Sequence, residues 1–421
     1  MDRRFYGWTV ALVAFFTFGL AVGIPYYGGP FFYDYYEKAF GWKRPDTTLG
    51  FPLGVTLTLW VGPLLVHRFS PRKLLMVGAG FTALAFLGFS QMTGALWMYY
   101  ACWFLYVVGY IFSGPIVHQV IVSNWFRRQR GRAMAIVYLG VGVFGGVSAK
   151  YIARPLTNLF GFQGALLAVA GLTLLIWPLA YFWLRDKPSE LSQFPDGDTS
   201  PHENLSEPPK SFSFLLSKPA FWLLTLGSFC SIGSIGSINQ HMKFVFKEQG
   251  FTSQATLDDF FGTANLCVLF SSIAGRLVMG YLADKYNKKL VMMATYFLVA
   301  LTIPMIFLVR PEQPEYMYVF AILFGFGMGA DYMLIPLMAA EQFGVTSLAR
   351  AMSIILPADT IGQAWAPYGI AWLHDALGGY PLALRAVFAL SFVGAVAISL
   401  LPRARQETSA PQPEPAAANA R

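Results

Sequence analysis

The sequence predicts an all-α integral membrane protein, with twelve spanning helices in two six-helix halves. Three observations carry that prediction. Hydrophobic residues make up 56% of the 421 residues and charged residues only 12%, whereas a soluble domain carries about 25% charged residues. Long charge-free apolar runs recur along the chain, and each approaches the ~20 residues that a helix needs to cross the hydrocarbon core. Two motifs of the first half also return in the second at nearly one spacing. Arg72-Lys73-Leu74-Leu75-Met76 recurs as Lys288-Lys289-Leu290-Val291-Met292, and Trp125-Phe126…Arg132-Ala133-Met134 recurs as Gln342-Phe343…Arg350-Ala351-Met352. The repeat implies two units with the same orientation in the membrane.

The expected segments are 8–33, 46–66, 74–92, 96–122, 132–152, 163–184, 219–245, 257–282, 289–309, 315–341, 348–373 and 381–401. The first follows Asp2-Arg3-Arg4. It is too long for a signal peptide and has no small-residue cleavage site, so it reads as a spanning helix. Its Gly23-Ile24-Pro25-Tyr26-Tyr27-Gly28-Gly29-Pro30 run would break a soluble helix, but in a bundle neighbouring helices can satisfy the freed backbone groups. In the fifth segment, Gly140, Gly142, Gly145 and Gly146 let helices approach closely. Residues 185–218 are rich in Ser, Pro, Asp and Glu and read as a flexible cytoplasmic linker. The expected organisation is therefore 1–184 as the N-terminal half, 185–218 as linker, 219–402 as the C-terminal half and 403–421 as a disordered tail.

Charge sets the expected orientation. The loops His67-Arg68-Phe69-Ser70-Pro71-Arg72-Lys73 and Arg127-Arg128-Gln129-Arg130-Gly131-Arg132 are strongly basic. The positive-inside rule puts both, and both termini, in the cytoplasm of a multi-pass plasma (inner) membrane protein. The formal charge of +8 thus reflects topology, and no nucleic-acid partner is expected. Cys102, Cys230 and Cys267 lie in apolar segments, and His118, His241 and His374 are scattered over separate helices. No disulfide framework, metal site or cofactor is expected. Without a nucleotide loop or nucleophile motif, neither is an enzyme. The expected state is a monomer among membrane lipid.

The costliest residue is Arg276, set in the apolar eighth segment. A charge at that depth costs roughly 2.5–3.5 kcal/mol on insertion scales, and intramembrane charges usually serve function. Guanidinium presents a planar fork suited to carboxylate and keeps its charge. Two acids are equally deep, Asp331 in the tenth segment and Asp359 in the eleventh. Either would neutralise Arg276 when the site is empty, or carry a proton. A permanent structural ion pair or a helix-packing hydrogen bond is the alternative. Asp34, Glu37 and Lys38 read as an exposed loop, and His241 and Lys243 as solvated residues near the outer end of the seventh segment.

The loop Gly280-Tyr281-Leu282-Ala283-Asp284-Lys285…Lys288-Lys289 resembles the loop motif of the major facilitator superfamily. The first-half copy departs from it, with His67 in place of the acid and Ser70 in place of the glycine. The run Pro115…Trp125-Phe126-Arg127-Arg128-Gln129-Arg130-Gly131-Arg132-Ala133-Met134 resembles the monocarboxylate and oxalate/formate transporter group, as do Gln240-His241, Arg276…Gly280 and Glu341-Gln342-Phe343-Gly344. That resemblance implies a secondary transporter in which Arg276 binds the substrate carboxylate, and it makes Asp284 and Arg130 gating-loop residues. Ser272 stands where these carriers often place an aspartate, which moves the proton role to Asp331 or Asp359. The eleventh segment lacks the lysine that oxalate/formate exchangers use for a dianion, so a monoanion is expected.

In the superfamily, helices 1, 4, 5, 7, 8, 10 and 11 face a central cavity. The candidate substrate liners are therefore Tyr26, Tyr27, His118, Tyr138, Asn239, Gln240, Asn265, Tyr332 and Gln363. For each alone, an interfacial tyrosine or a helix-joining amide is the competing reading. The expected partners are a small organic anion and H+, moved by symport with alternating access. The alternatives are a proton-coupled efflux antiporter for drug-like or aromatic compounds, or a transporter-like sensor.

Overall fold

The computed structural model describes residues 5–58, 69–126, 129–198, 210–344 and 347–402. They are almost wholly helical, apart from an isolated bridge between Arg310 and Gln313. In the N-terminal half, α1 is Gly7–Phe40, the described part of α2 is Gly50–Thr58, α3 is Pro71–Ser90 and α4 is Leu96–Trp125. Helices α5 (130–160) and α6 (162–183) are separated at Gly161, whose φ of 72° ends the first of them. In the C-terminal half, α7 is Pro219–Glu248, α8 Gln254–Lys285, α9 Lys288–Leu308, α10 Tyr316–Phe343, α11 Leu348–Leu377 and α12 Tyr380–Ser399. This is the twelve-helix, two-domain architecture expected from the sequence. The 403–421 tail and most of the His67 loop lie outside the described residues.

Local chemistry explains the boundaries. Pro71, Pro219 and Pro381 sit in first turns, where a missing N–H costs nothing. Ser70 caps α3 by accepting from the Lys73 amide, and Asn287 caps α9 by accepting from Lys289. Helix α4 breaks at Gly114, which is extended (φ −94°, ψ −150°) before Pro115. His118 Nδ1 donates to the Gly114 carbonyl at 2.8 Å, alongside the His118 backbone N–H at 3.4 Å. Helix α1 widens into a π-helical segment at Gly19–Gly23, just before Tyr26 and Tyr27, and α5 does so at Ser148–Ala153. Such segments redirect side chains without ending the helix.

The outward faces are apolar. Trp177, Tyr181, Phe182, Leu277, Val278 and Leu382 are among many large exposed hydrophobic side chains. A soluble protein could not leave so much apolar surface bare, whereas lipid covers it. Helix pairs inside each half instead use small residues. Gly275, Gly325 and Gly329 bring the α8 and α10 backbones together. A Cβ added at Gly329 would lie 1.9 Å from the Ser272 carbonyl oxygen. Gly329→Ala therefore forces α10 off α8, at a cost of about 1–3 kcal/mol. The expected result is a melting temperature lower by several degrees in detergent, and an unchanged melting temperature would contradict this packing.

The halves meet where α1 packs on α7, α5 on α8 and α2 on α11. The terminal face is the end carrying the chain termini, and the far face is its opposite. One buried apolar cluster fills the N-terminal half and runs on into the far-face ends of α7, α8, α10 and α12. A second, separate cluster fills the terminal-face end of the C-terminal half. The halves are therefore fused toward the far face. Part of the expected flexible linker is pinned to the N-terminal half. Asp186 accepts from Ser70 and from the Arg72 amide, and the Trp125 indole donates to the Arg185 carbonyl at 2.9 Å.

Candidate functional site

Arg276 lies in the second half of α8, on the side facing the other half. Its Nε donates to the Gly329 carbonyl of α10 at 3.2 Å, and its Nη1 donates to the Tyr138 carbonyl of α5 at 3.1 Å. The guanidinium thus spans the junction between the halves while resting on backbone carbonyls. Among the described residues no carboxylate lies within ion-pair distance of it. Carbonyl dipoles compensate a cation only in part, so a net positive charge remains at the centre of the protein. Tyr27, Tyr138 and Tyr332 stand close enough to interact electrostatically with it.

These aromatic groups come from both halves. Tyr138 accepts from the Gln119 amide at 2.6 Å, and Tyr332 accepts from the Gln363 amide at 2.9 Å. Each phenol is thereby oriented, with its own proton left for another acceptor. All five of these side chains are partly exposed, as is Arg276. Tyr26 packs edge-on against Tyr27, its buried hydroxyl without a partner. Gln240 accepts from Tyr33 at 2.8 Å, and Asn265 donates to the Gly145 carbonyl at 3.0 Å, each contact crossing between the halves.

Two expected liners are placed elsewhere. His118 is fully buried and stacks on Phe18. Its Nε2 pairs with the Thr17 hydroxyl at 3.0 Å, so both ring nitrogens are used inside the N-terminal half. Asn239 donates to the Met328 sulfur at 3.4 Å and ties α7 to α10. The side chains of Arg130 and Asp284 lie outside the described residues.

Asp331 and Asp359 do not meet Arg276. Asp331 is two residues beyond Gly329, about 200° around the helix, and accepts from Ser231 of α7 at 2.5 Å. Asp359 accepts from Ser228 of α7 at 2.6 Å. Both carboxyls are therefore turned into the interior of the C-terminal half.

The far face holds a charged network that the sequence reading placed in solvent. Lys243 is 1% exposed, Asp34 0% and Asp258 3%. The Lys243 ammonium donates to Asp34 and the Phe31 carbonyl at 2.7 Å and lies 2.8 Å from Asp258. Its three protons thus have three acceptors. Gln254 donates to both carboxylates, Tyr35 donates to Asp258 at 2.5 Å, and the Phe31 ring lies 4.2 Å from the ammonium. Asp34 belongs to α1, whereas Lys243 and Asp258 belong to α7 and α8, so the network fastens the two halves together. His241 is also buried, between the Tyr380 hydroxyl and the Pro367 carbonyl, at 2.7 Å from each.

Around this lock Arg44 pairs with Glu248 at 2.6 Å, Lys247 with Glu37 at 3.6 Å, and Arg154 with Asp259. Burial opposes the charge on Arg44, but Tyr380, Glu248 and Glu37 outweigh it and raise its pKa. At the terminal face Lys288 pairs with Glu341 within one half. The far face is held by charge, and Arg276 lies toward the terminal-face end of α8 among partly exposed side chains.

Comparison with known proteins fits this geometry. The sequence model of the Major Facilitator Superfamily matches residues 114–265 and 258–420. The chain belongs to the Major Facilitator Superfamily. This major facilitator protein is similar to monocarboxylate transporter 13 of Bos taurus (29% identity over 175 residues) and of Rattus norvegicus (28% over 173). Each match covers 40% of this chain and 40% of the relative's length. It is also similar to the MFS transporter asaE of Aspergillus flavus, at 26% identity over 62% of this chain and 55% of the relative. Among solved structures, the bacterial homologue of the human lysosomal transporter Spinster, inward-facing and occupied, superposes with a TM-score of 0.66. Identity there is 13%, with 96% of this chain and 98% of that one covered, so the likeness concerns the fold. The protein is a multi-pass membrane protein of this superfamily.

Proposed function

We propose that the protein moves a small organic monocarboxylate across the membrane by alternating access, in symport with H+. The carrying observation is Arg276, a guanidinium at the junction of the halves that meets carbonyls but no carboxylate among the described residues. A substrate carboxylate supplies the missing negative charge through a bidentate pair. Tyr27, Tyr138 and Tyr332 offer phenolic edges around it, which suits a small and partly apolar anion. One cation favours a monoanion over a dianion. The similarity to monocarboxylate transporters over 40% of the chain supports the same substrate class.

With both termini in the cytoplasm of a plasma (inner) membrane, the locked far face is the outer one, and the site opens inward. Substrate release and reloading then occur from the cytoplasm until the Lys243 network parts. Reconstituted vesicles are expected to accumulate a labelled monocarboxylate when the pH is lower on the side of entry, and to equilibrate it slowly without the gradient. Uptake of dicarboxylates but not monocarboxylates, or export of uncharged aromatic compounds alone, would overturn the reading.

A further inference from the structure

The two acids inside the C-terminal half form a cluster that Arg276 does not explain. Asp331 is 0% exposed and Asp359 4%. Each has one oxygen satisfied by a serine of α7; Asp331 also lies within hydrogen-bond reach of the Tyr296 hydroxyl of α9, while Asp359 Oδ2 has no hydrogen-bond partner. The Tyr296 hydroxyl is fully buried, next to Asp331, and within electrostatic reach of both carboxyls. Tyr332 of α10 interacts electrostatically with Asp331, and Cys230 of α7 with Tyr296. Among the described residues no lysine, arginine or histidine of α8, α9, α11 or α12 forms an ion pair with either acid. The carboxyls also lie within electrostatic reach of each other.

Two ionised carboxylates in such a place would repel one another, and neither has a cation to offset its desolvation. A proton is the smallest species that removes charge there, and the unpartnered Asp359 Oδ2 is free to take it. We propose that Asp331 and Asp359 together hold an exchangeable proton at a site separate from the substrate anion. Binding converts one carboxylate to a carboxylic acid, which removes its charge and its repulsion of the other acid. Release returns that proton to water. The link to transport is α10: Arg276 holds the Gly329 carbonyl, two residues before Asp331. Engagement of Arg276 by an anion shifts the strand of contacts that positions Asp331 against Ser231. This deepens the symport reading and depends on it only for the coupling.

The test uses substrate-free, full-length purified protein and infrared difference spectra between acid and alkaline buffers, in H2O and in D2O. The expected result is a protonated-carboxyl band that titrates, shifts in D2O, and is lost in Asp331→Asn or Asp359→Asn. Ser231→Ala, which removes one donor and keeps both acids, is expected to move the titration and serves if an asparagine variant fails to fold. In vesicles, Asp331→Asn is expected to retain counterflow exchange of monocarboxylate and to lose accumulation driven by the proton gradient. The proposal is overturned if no band changes in either asparagine variant and Ser231→Ala leaves the titration unmoved. It is equally overturned if both asparagine variants accumulate substrate as the parent does. The infrared measurement needs no substrate, so failure of the monocarboxylate reading shows separately, as absence of uptake by the parent protein.

Discussion

Arg276→Ala is expected to lower monocarboxylate uptake at sub-saturating substrate by about 100-fold, the scale of one or two lost charge-assisted hydrogen bonds. The empty protein should scarcely notice. The guanidinium there holds only two carbonyls, at 3.2 and 3.1 Å, and removing an uncompensated charge offsets the loss of those bonds. Its melting temperature is therefore expected to be equal to or above that of the parent, while transport collapses. Arg276→Lys should fall between, because it keeps the charge and loses the planar fork. Labelled uptake into vesicles, with melting curves of the same preparations, checks both halves of this expectation. A variant that loses transport and stability in parallel would mark Arg276 as a structural residue.

The second large effect is expected at Lys243. Lys243→Met leaves Asp34 and Asp258 buried without their cation when the far face is closed, a loss of about 3–5 kcal/mol for a broken buried pair. When that face opens, water solvates both acids and the cost disappears. The substitution thus acts on one conformation, and a bias of that size shifts the balance between conformations by about 100-fold or more. Spin labels at Ala39 and Ala255, exposed on the far faces of the two halves, should show a longer distance population dominating in the variant. Adding Asp34→Asn to Lys243→Met removes one orphaned acid and should restore part of the short-distance population. Unchanged distances in both variants would show that apolar packing, and not the ion network, keeps the far face shut.

Much of the architecture was legible because lipid imposes a strict rule. A helix must run through about 20 apolar residues, since backbone groups find no water there. Arg276 was legible for the same reason, as a charge in a run that tolerates none. The lock was not. Asp34 and Lys243 lie near segment ends, where charges ordinarily meet solvent, and the pair is separated by 209 positions. No local pattern announces that two helix ends will close on each other. The closest signal was the clustering of Asp34, Glu37 and Lys38 with Lys243 and Lys247 at ends expected on one face. The acids show a different limit. Depth in a segment revealed that Asp331 and Asp359 are buried, but not which side of the helix each occupies. Gly329 turns one flank of α10 to Arg276, and the two-residue step to Asp331 carries its carboxyl away. His118 failed as a liner for a similar reason. Its ring is held between the Thr17 hydroxyl and the Gly114 carbonyl at the α4 break.

The central claim is that Arg276 seats a carboxylate, and one comparison tests it directly. Purified protein is melted with a small monocarboxylic acid and with the amide of the same acid, which matches its shape but lacks its charge. A true ligand raises the melting temperature in proportion to its occupancy of the folded state. The account predicts that the acid stabilises the parent protein, the amide does not, and neither stabilises Arg276→Ala. Equal stabilisation by acid and amide, or by the acid in parent and variant alike, would contradict it.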